Sequence, residues 1–349
     1  MDFSRIIIEW YEQNKRDLPW RETKDPYIIW LSEIILQQTR VNQGLSYFCT
    51  FQKDYPNIFE FANAKEDEIL RRWQGLGYYS RARNMIKAAE KVITDHNGVF
   101  PTSYDALIKL PGIGEYTAAA VSSFSNNEPR AVVDGNVSRV LARYFGISEA
   151  INSTTGKKKF QNLAQEVLTK QDPGLHNQAI MEFGALQCKP QNPDCSICPL
   201  KNSCYAFLNN SVRELPHKLK PAKSKNRYFH YFVIRKNGAI LVQKRTQNDI
   251  WKNMYELPLI ETANALDNTQ IQLSAPYIEA FGTETTIIHK SRTIKHILSH
   301  QNIYACFYEI KNVDEQLMKN KLWNYVLIKD LDKLAKPKLI YTFIESFFT

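Results

Sequence analysis

The sequence predicts an all-helical domain followed by a smaller mixed α/β domain. The chain has 349 residues, which exceeds the ~250–300 residues at which a single hydrophobic core usually stops growing. Apolar residues recur at helical spacing in its first part, whereas β-branched and aromatic runs dominate its last part. We therefore expect a helical domain over residues 1–212, a basic linker over 213–227 and an α/β domain over 228–349.

Helices are predicted wherever apolar residues return every three or four positions. Leu31, Ile34 and Ile35 show this spacing, and so do Val137 and Val140. Pro and Gly separate these segments, as expected between short helices. This periodicity predicts several amphipathic helices packed on one another.

The last part of the chain contains a hairpin signal. The apolar runs 228–234 and 239–244 flank Asn237-Gly238, and Asn-Gly between β-rich runs favours a tight turn between two strands. Residues 303–310 also read as a strand. These patterns predict a sheet within the α/β domain.

The composition excludes several classes of protein. Hydrophobic residues make up 44% and charged residues 23% of the chain, which is typical of a globular protein and excludes wholesale disorder. No apolar run approaches the ~20 residues of a membrane helix. The first residues lack a basic stretch followed by an apolar one, so we expect no secretory signal and a cytoplasmic location.

The net charge of +9 is unevenly distributed. Residues 1–212 carry +1, residues 228–349 carry +3, and the linker over 213–227 carries +5 with six basic residues and one acidic residue. A short basic segment can lie along phosphates, although it can equally be a solvated tether.

Four cysteines form a dense group, in the pattern C-x6-C-x2-C-x5-C: Cys188, Cys195, Cys198 and Cys204. Such a group in a chain without a secretion signal favours a metal site over disulfides. Thiolates suit zinc or an iron–sulfur cluster, and the chemistry alone leaves both open.

Two further segments have the residue types that contact nucleic acid. Gly112 and Gly114 lie in a G-x-G turn that opens a helix, whose free N–H groups can bind a phosphate. Residues 71–83 contain four arginines, three aromatics and no acid, and Arg81 and Arg83 are candidate phosphate contacts. Without further context, each segment can also be read as ordinary packing.

Two carboxylates are candidates for catalysis. Glu33 lies among apolar residues, and such surroundings raise the pKa of a carboxyl group and suit a general acid. Asp134 precedes a predicted helix, where Asp is a favoured N-cap and where the helix N-terminus favours the ionised form. A proton donor and an anion together are the groups that cleave glycosidic bonds.

Taken together, these motifs resemble those of MutY-type adenine DNA glycosylases in the endonuclease III superfamily. The resemblance is carried by the cysteine spacing, the hairpin L-P-G-I-G-x-Y-T-A and four further runs: Arg16–Arg21, Ser32–Thr39, Gly75–Tyr79 and Val133–Val137. It covers nearly the whole chain. It implies a helix–hairpin–helix domain with a [4Fe-4S] cluster and a Nudix-like second domain, acting on adenine mispaired with 8-oxoguanine or guanine in duplex DNA.

The resemblance also assigns roles around the scissile bond. Glu33 matches the acid that protonates adenine at N7, and Asp134 matches the carboxylate that stabilises the sugar cation. Asn136 matches the residue that assists this aspartate, and Tyr116 matches a tyrosine beside the reaction centre. Superfamily members with lyase activity have a lysine where this chain has Tyr116, and a phenol cannot form a Schiff base. We therefore expect a monofunctional glycosylase.

Further positions follow from the same resemblance. Trp20, Arg21 and Glu182 match the adenine pocket, while Gln38 and Tyr78 match residues that wedge into the duplex.

The second domain matches the part of the family that reads the lesion. Residues 228–349 contain no Glu-Glu pair, so the acidic box of a Nudix hydrolase is absent and we expect binding without hydrolysis. The family's recognition loop ends in Phe-Ser-His; here Leu298 replaces the aromatic residue, and Ser299 and His300 match.

We expect a monomer that binds duplex DNA containing 8-oxoguanine:A or G:A pairs, associated with the nucleoid and not with a membrane. Three alternatives remain open: an endonuclease III-like pyrimidine glycosylase with lyase activity, a nucleotide hydrolase, and a non-catalytic iron–sulfur protein that binds DNA.

Overall fold

The computed structural model of the protein describes residues 3–220, 224–318 and 322–348. Its chain forms two compact units. The first consists of residues 3–64 and 80–220, and the second of residues 65–79 and 224–348. Pro221 and Lys223 of the expected linker lie outside the described residues.

The described part of residues 1–212 is helical, as the sequence predicts. Its helices are α1 (Phe3–Asn14), α2 (Pro26–Leu36), α3 (Val41–Asp54), α4 (Ile58–Asn63), α5 (Glu66–Arg72), α6 (Ser80–His96), α7 (Tyr104–Leu107), α8 (Glu115–Asn126), α9 (Gly135–Phe145), α10 (Thr154–Val167), α11 (Pro173–Leu186) and α12 (Tyr205–Leu208). Of these, α5 belongs to the second compact unit and the others to the first.

Aspartates define where three of the helices begin. Asp25 accepts a hydrogen bond from Tyr27 N at the start of α2, and Asp172 accepts one from Leu175 N at the start of α11. Each is followed directly by Pro at the first helical position, where the missing N–H costs nothing. Asp134 caps α9 in the same way. Such caps satisfy N–H groups that the helix itself leaves unpaired.

One core of the first unit is built from α1, α9, α10 and α11. Its fully buried members include Ile7, Leu141 and Phe183. Residues 137–143 of helix α9 are all buried, and Val137 and Val140 belong to this core as the periodicity predicts. The core therefore holds rigidly the helix that Asp134 begins.

The first unit continues into the expected linker. Ile151 N donates to the carbonyl of His217 at 3.0 Å, and Asn152 exchanges two hydrogen bonds with the backbone of Leu219. Leu215 is buried. The segment up to Lys220 is thus held against the helical unit by backbone pairing, which the charge pattern does not predict.

The described part of the second unit combines α5 with nine strands and four more α-helices. The strands are β1 (Lys225–Val233), β2 (Arg235–Lys236), β3 (Ala239–Lys244), β4 (Tyr255–Glu256), β5 (Leu259–Thr262), β6 (Thr286–Lys290), β7 (Ile294–Ile297), β8 (Gln301–Lys311) and β9 (Trp323–Leu327). The helices are α13 (Asn268–Gln272), α14 (Ala275–Phe281), α15 (Glu315–Met318) and α16 (Lys338–Phe348).

The strands form two sheets. In the first, β1 pairs with β8 in parallel, β5 and β6 flank this pair in the order β5-β1-β8-β6, and β7 also pairs with β8. In the second, β3 pairs with β2, β4 and β9. The predicted turn is present: Lys236 pairs with Ala239, and both turn residues have positive φ (49° at Asn237 and 74° at Gly238). Most of the predicted strand 228–234 instead lies in β1, which pairs with β5 and β8 in the first sheet.

Residues 65–79 pack within the second unit although the sequence prediction groups them with the helical domain. Asp67 forms an ion pair with Lys244, and Asn253 donates a hydrogen bond to Glu66.

Within the residues that the structure describes, we find no helix long and apolar enough to cross a membrane.

Candidate active site

Helix α2 places Glu33 in an apolar setting. The residues around it in the helix, Leu31, Ile34 and Ile35, are almost completely buried, and Glu33 itself is 8% exposed. Removing a carboxylate from water disfavours its charged form. Burial accordingly raises the pKa of Glu33 to about 7, with nearby Asp134 adding to the rise. Glu33 can therefore hold a proton near neutral pH.

Tyr116 and Arg21 oppose this effect. Tyr116, in the first turn of α8, hydrogen-bonds the carboxyl group of Glu33, and Arg21 attracts its negative charge; both lower the pKa of Glu33. Burial raises the pKa of Tyr116 well above its usual value, so its hydroxyl stays protonated and donates. The hydroxyl of Tyr116 therefore donates to the carboxyl of Glu33, and this hydrogen bond favours the ionised form of Glu33.

Asp134 accepts three hydrogen bonds at the start of α9. Its Oδ1 accepts from the backbone N–H groups of Asn136 at 2.8 Å and Val137 at 2.7 Å, and its Oδ2 accepts from Asn136 Nδ2 at 2.7 Å. Burial nevertheless raises the pKa of Asp134 above its usual value, although these donors pull it down. The start of α9 favours the ionised form of Asp134, as the sequence predicts, but burial opposes this effect and raises the pKa of Asp134.

Glu182 is clamped by two arginines. Arg16 reaches it with Nη2 at 2.6 Å and with its backbone N at 3.0 Å, and Arg21 reaches it with Nη2 at 2.7 Å. Although burial raises the pKa of Glu182, these hydrogen bonds outweigh burial and lower its pKa to about 2. Glu182 is thus a fixed anion, and Arg21 links it electrostatically to Glu33.

Trp20 is part of the same neighbourhood in the chain but lies in the core. It is 8% exposed, and its ring meets Phe48 edge-on at 5.0 Å. Its contacts show packing, and any contact with a base stays a prediction.

The G-x-G turn has the geometry of a helix N-terminus open to a ligand. Gly112 has a φ of +76°, and a Cβ there would come within 2.5 Å of Asn84 Cβ. Gly114 is the N-cap of α8 and provides no side-chain cap. The first N–H groups of α8 therefore have no side-chain acceptor at the N-cap, as a phosphate site requires.

The other predicted DNA contacts of the first unit differ in accessibility. Gln38 is exposed with a φ of +56°, directly beyond the end of α2. Arg83 is half-buried. Arg81 directs Nη1 to backbone carbonyl oxygens at the end of α2, among them Gln37 O at 2.6 Å.

A buried arginine connects Asp134 with the cysteine loop. Arg139 donates to Asn136 Oδ1 at 2.9 Å, and the amide of Asn136 in turn donates to Asp134. The same guanidinium donates to Cys188 O at 2.8 Å and Gly184 O at 2.6 Å. Gly184 is required here, because a Cβ would lie 2.7 Å from Asn136 Cβ.

All four clustered cysteines line one cavity beside Arg143. They are unpaired thiols. Arg143 is 3% exposed, donates to Cys188 Sγ at 3.4 Å, and holds the loop through Lys189 O and Pro190 O. In the described ranges, no three His, Cys, Asp or Glu side chains are arranged to hold a metal ion. The donor set, four thiols beside a buried cation, fits an anionic iron–sulfur cluster.

Three of the predicted residues of the second unit form the turn between β7 and β8. Leu298 N donates to Gln301 O, and Ser299 and His300 are exposed at the tip. Tyr78 belongs to the same unit, has a φ of +47°, and its hydroxyl hydrogen-bonds that of Ser299. A predicted wedge residue and a predicted lesion reader are therefore in direct contact.

Three arginines of the site were not singled out from the sequence: Arg16, Arg139 and Arg143. Arg16 begins the run Arg16–Arg21, but its partner Glu182 is 166 residues away, so the sequence does not indicate their contact. Arg139 and Arg143 lie one turn apart on α9. An Arg-x-x-x-Arg pair beginning five residues after a candidate aspartate is the signal that could have indicated them.

Both parts of the chain are similar to known proteins. A family model described as a HhH-GPD superfamily base excision DNA repair protein matches residues 31–170, and a NUDIX domain model matches residues 230–346. Among solved structures, a thermostable thymine-DNA glycosylase is 31% identical with a TM-score of 0.55, covering 59% of this chain and 95% of its own. A non-covalent endonuclease III–DNA complex, at 22% identity and a TM-score of 0.52, shows the same helical fold and covers 59% of this chain and 94% of its own.

Curated relatives extend over both domains. Adenine DNA glycosylase of Buchnera aphidicola subsp. Schizaphis graminum is 38% identical over 99% of this chain and 98% of its own length. That of Buchnera aphidicola subsp. Acyrthosiphon pisum is 32% identical over 99% and 97%. The human adenine DNA glycosylase is 39% identical over 58% of this chain and 39% of its own length. The chain therefore belongs to the adenine DNA glycosylase family.

Proposed function

We propose that the protein hydrolyses the N-glycosidic bond of adenine paired with 8-oxoguanine or guanine in duplex DNA. The observation that carries this proposal is a pair of carboxyls, in which buried Glu33 has a pKa of about 7 that the negative charge of the half-buried Asp134 helps to raise. A proton donor at neutral pH and a second carboxyl near it are what cleavage through an oxocarbenium-like transition state requires.

Glu33 supplies the proton in this mechanism. Adenine flipped out of the duplex presents its N7 to the acid, and flipping costs least at a mispair, which adds selectivity. Protonation makes the base a neutral leaving group as the bond to the sugar breaks. Glu33 is then an anion, and the hydrogen bond from Tyr116 stabilises that product state of the acid.

Asp134 stabilises the cation that forms on the sugar. Its three hydrogen bonds favour the carboxylate form against the effect of burial, and Asn136 fixes its second oxygen. A water molecule then attacks the sugar and leaves an abasic site. Glu182 with Arg16 and Arg21 forms a rigid polar wall for the adenine pocket.

Residues of the hairpin argue for a monofunctional enzyme. Strand cleavage by this superfamily's lyase members uses a lysine that forms a Schiff base, and Tyr116 occupies the corresponding place here. Burial raises the pKa of Tyr116 well above its usual value, so its hydroxyl is a donor and not a nucleophile. The endonuclease III-like alternative is disfavoured on this ground.

The second unit supplies the specificity for 8-oxoguanine in this proposal. The turn Leu298–His300 joins β7 and β8, and its exposed residues Ser299 and His300 carry a hydroxyl and an imidazole. Ser299 can hydrogen-bond the Hoogsteen edge of the lesion, and Leu298 provides an apolar wedge in place of an aromatic ring. The missing acidic box disfavours a nucleotide hydrolase.

We further propose that Cys188, Cys195, Cys198 and Cys204 hold a [4Fe-4S] cluster with a structural role. When bound, the cluster supplies a rigid, negatively charged anchor for its loop. Arg143 balances that charge, and Arg139 transmits the position of the loop to Asn136 and Asp134.

In this proposal the protein acts as a monomer on chromosomal duplex DNA, and hence at the nucleoid.

Release of adenine from defined duplexes tests the proposal directly. Wild-type protein in excess is incubated with duplexes that contain 8-oxoguanine:A, G:A or T:A, and alkali then cleaves abasic sites. We expect excision from the first two duplexes, none from T:A, and no strand cleavage before alkali. Glu33→Gln should abolish excision while retaining binding. A wild-type rate for Glu33→Gln, or strand cleavage without alkali, would overturn the proposal, and binding without excision by the wild type would favour the non-catalytic alternative.

A further inference from the structure

One arginine of the predicted DNA-contacting stretch points into the protein. Arg81, the second residue of α6, directs Nη1 to three backbone carbonyls: Ile34 O at 2.7 Å, Ile35 O at 3.2 Å and Gln37 O at 2.6 Å. Its side chain is half-buried. One nitrogen of the guanidinium therefore donates to backbone carbonyls of the protein itself.

These three carbonyls are at the C-terminal end of α2. The helix ends at Leu36, and Gln37 leaves the helical conformation with a ψ of 117°. The last carbonyls of a helix have no partner within it, and they carry the negative end of the helix dipole. A cation that donates to them satisfies both requirements. Arg81 thus acts as the C-terminal cap of α2.

The capped turn is the one that carries the acid. Glu33 lies three residues before the end of α2, and the carbonyl of the next residue, Ile34, accepts a hydrogen bond from Arg81. Beyond the helix the chain turns sharply, because Gln38 has a φ of +56°. Without the cap, the last turn of α2 would lose the hydrogen bonds that Arg81 donates from α6, and the carboxyl of Glu33 would move with this turn.

We propose that Arg81 is a positioning residue for Glu33 and not a phosphate contact. It fixes the last turn of α2 so that the carboxyl of Glu33 is presented to the leaving base in a constant geometry. A phosphate contact through Nη1 would require this nitrogen to give up acceptors at 2.6 and 2.7 Å. This inference rests on the proposed role of Glu33 as the acid.

Two quantities separate positioning from phosphate binding. A phosphate contact contributes to affinity and to its salt dependence, and losing one lowers the salt slope by about one. A positioning residue acts on the chemical step in the bound complex, where a misplacement of ~1 Å can cost roughly 100-fold. Loss of a positioning residue should therefore lower the rate at saturation and leave the salt slope of Kd unchanged. Loss of a phosphate contact should lower the salt slope and leave the rate at saturation unchanged.

The experiment uses full-length protein and three variants. Arg81→Met removes the donors, Arg81→Gln removes the charge but keeps an amide donor, and Lys87→Met is the control, since Lys87 is exposed on the same helix. Single-turnover excision is measured at saturating enzyme on an 8-oxoguanine:A duplex. Kd is measured at several salt concentrations on the same duplex with a 2′-fluoro adenosine, whose fluorine destabilises the sugar cation and slows cleavage.

We expect Arg81→Met to lower the saturated rate roughly 10- to 100-fold, with a salt slope equal to that of the wild type. Arg81→Gln should lose less rate because it keeps a donor, and Lys87→Met should match the wild-type rate. A salt slope lower by about one, with an unchanged saturated rate, would overturn the inference in favour of a phosphate contact. An unchanged salt slope together with an unchanged saturated rate would also overturn the inference.

If Arg81→Met fails to fold, Arg81→Gln decides the question by the same two readouts. The wild type is the internal reference for the function. If it releases no adenine, the proposed function fails; if it does and the Arg81 variants keep its saturated rate, only the positioning role fails.

Discussion

The hydrogen bond between Tyr116 and Glu33 sets the pH at which the proposed acid loses its proton. Tyr116→Phe removes that bond and keeps the ring. Because the bond favours the ionised form of Glu33, its removal raises the pKa of Glu33 above the present value of about 7. Only protonated Glu33 is active, so the variant should keep its activity to higher pH than the wild type.

The size of the shift follows from the strength of such a bond. A hydrogen bond to a charged group contributes about 1.5 kcal/mol or more, and 1.36 kcal/mol corresponds to about one pKa unit. At pH 8, a group with a pKa of about 7 is about one tenth protonated, and a rise by about one unit makes it about half protonated. The alkaline limb of the rate profile should therefore move up by about one pH unit.

Single-turnover excision measured from about pH 5 to 9 at saturating enzyme tests this shift, because it reports ionisation in the complex. The height of the profile can fall, since Tyr116 lies beside the reaction centre, but the position of the limb is the readout. Tyr104→Phe, which alters a tyrosine near Arg130 and not near Glu33, is the matched control. A limb that stays in place or moves to lower pH would refute the assignment of Glu33 as the acid that Tyr116 tunes.

Four shorter predictions concern the rest of the molecule. Glu182→Gln should destabilise the fold by about 3 kcal/mol, because it leaves two arginines without their anion. Since the pKa of Glu182 is lowered to about 2, the difference from wild type in urea unfolding should be full above about pH 5 and shrink as the pH falls towards 2; a difference independent of pH would contradict this. Tyr116→Lys should gain a borohydride-trappable adduct with DNA, and its absence would weaken the placement of Tyr116 beside the sugar. Cys198→Ser should lose visible absorbance that only a cluster, and not zinc, gives; a colourless wild type would point to zinc. Ser299→Ala should slow excision opposite 8-oxoguanine more than opposite guanine, by roughly 10-fold, corresponding to about one hydrogen bond; equal losses would place the selectivity elsewhere.

Much of the fold was predictable because its signals are local. Apolar periodicity marked α2 and α9, and Asn237-Gly238 marked the hairpin between β2 and β3. The domain boundaries are harder to predict from the sequence. The chain from Arg213 to Lys220 stays with the helical unit through pairing with Ile151 and Asn152, and this pairing leaves no trace in charge or composition.

The candidate site was predictable in its residue types and less so in its electrostatics. Glu33 is buried as its apolar neighbours indicate. Asp134 accepts the cap hydrogen bonds that its position indicates, yet burial raises its pKa, because desolvation depends on every segment packed around it. The basic run predicts a phosphate contact for Arg81 and does not indicate that the acceptors of its Nη1 lie more than 40 residues earlier in the chain.

The order of residues is enough to predict which chemical groups the protein has: a carboxyl in an apolar helix, a capping aspartate, a glycine turn before a helix and four spaced thiols. These follow from short-range preferences of residue types. Which of these groups come into contact depends on the packing of the whole chain. Tyr116 reaches Glu33, Arg16 reaches Glu182 and Arg81 reaches the end of α2 across 44 to 166 residues of chain. Such contacts, and the pKa values they set, depend on how distant segments exclude water together, and no local pattern encodes that.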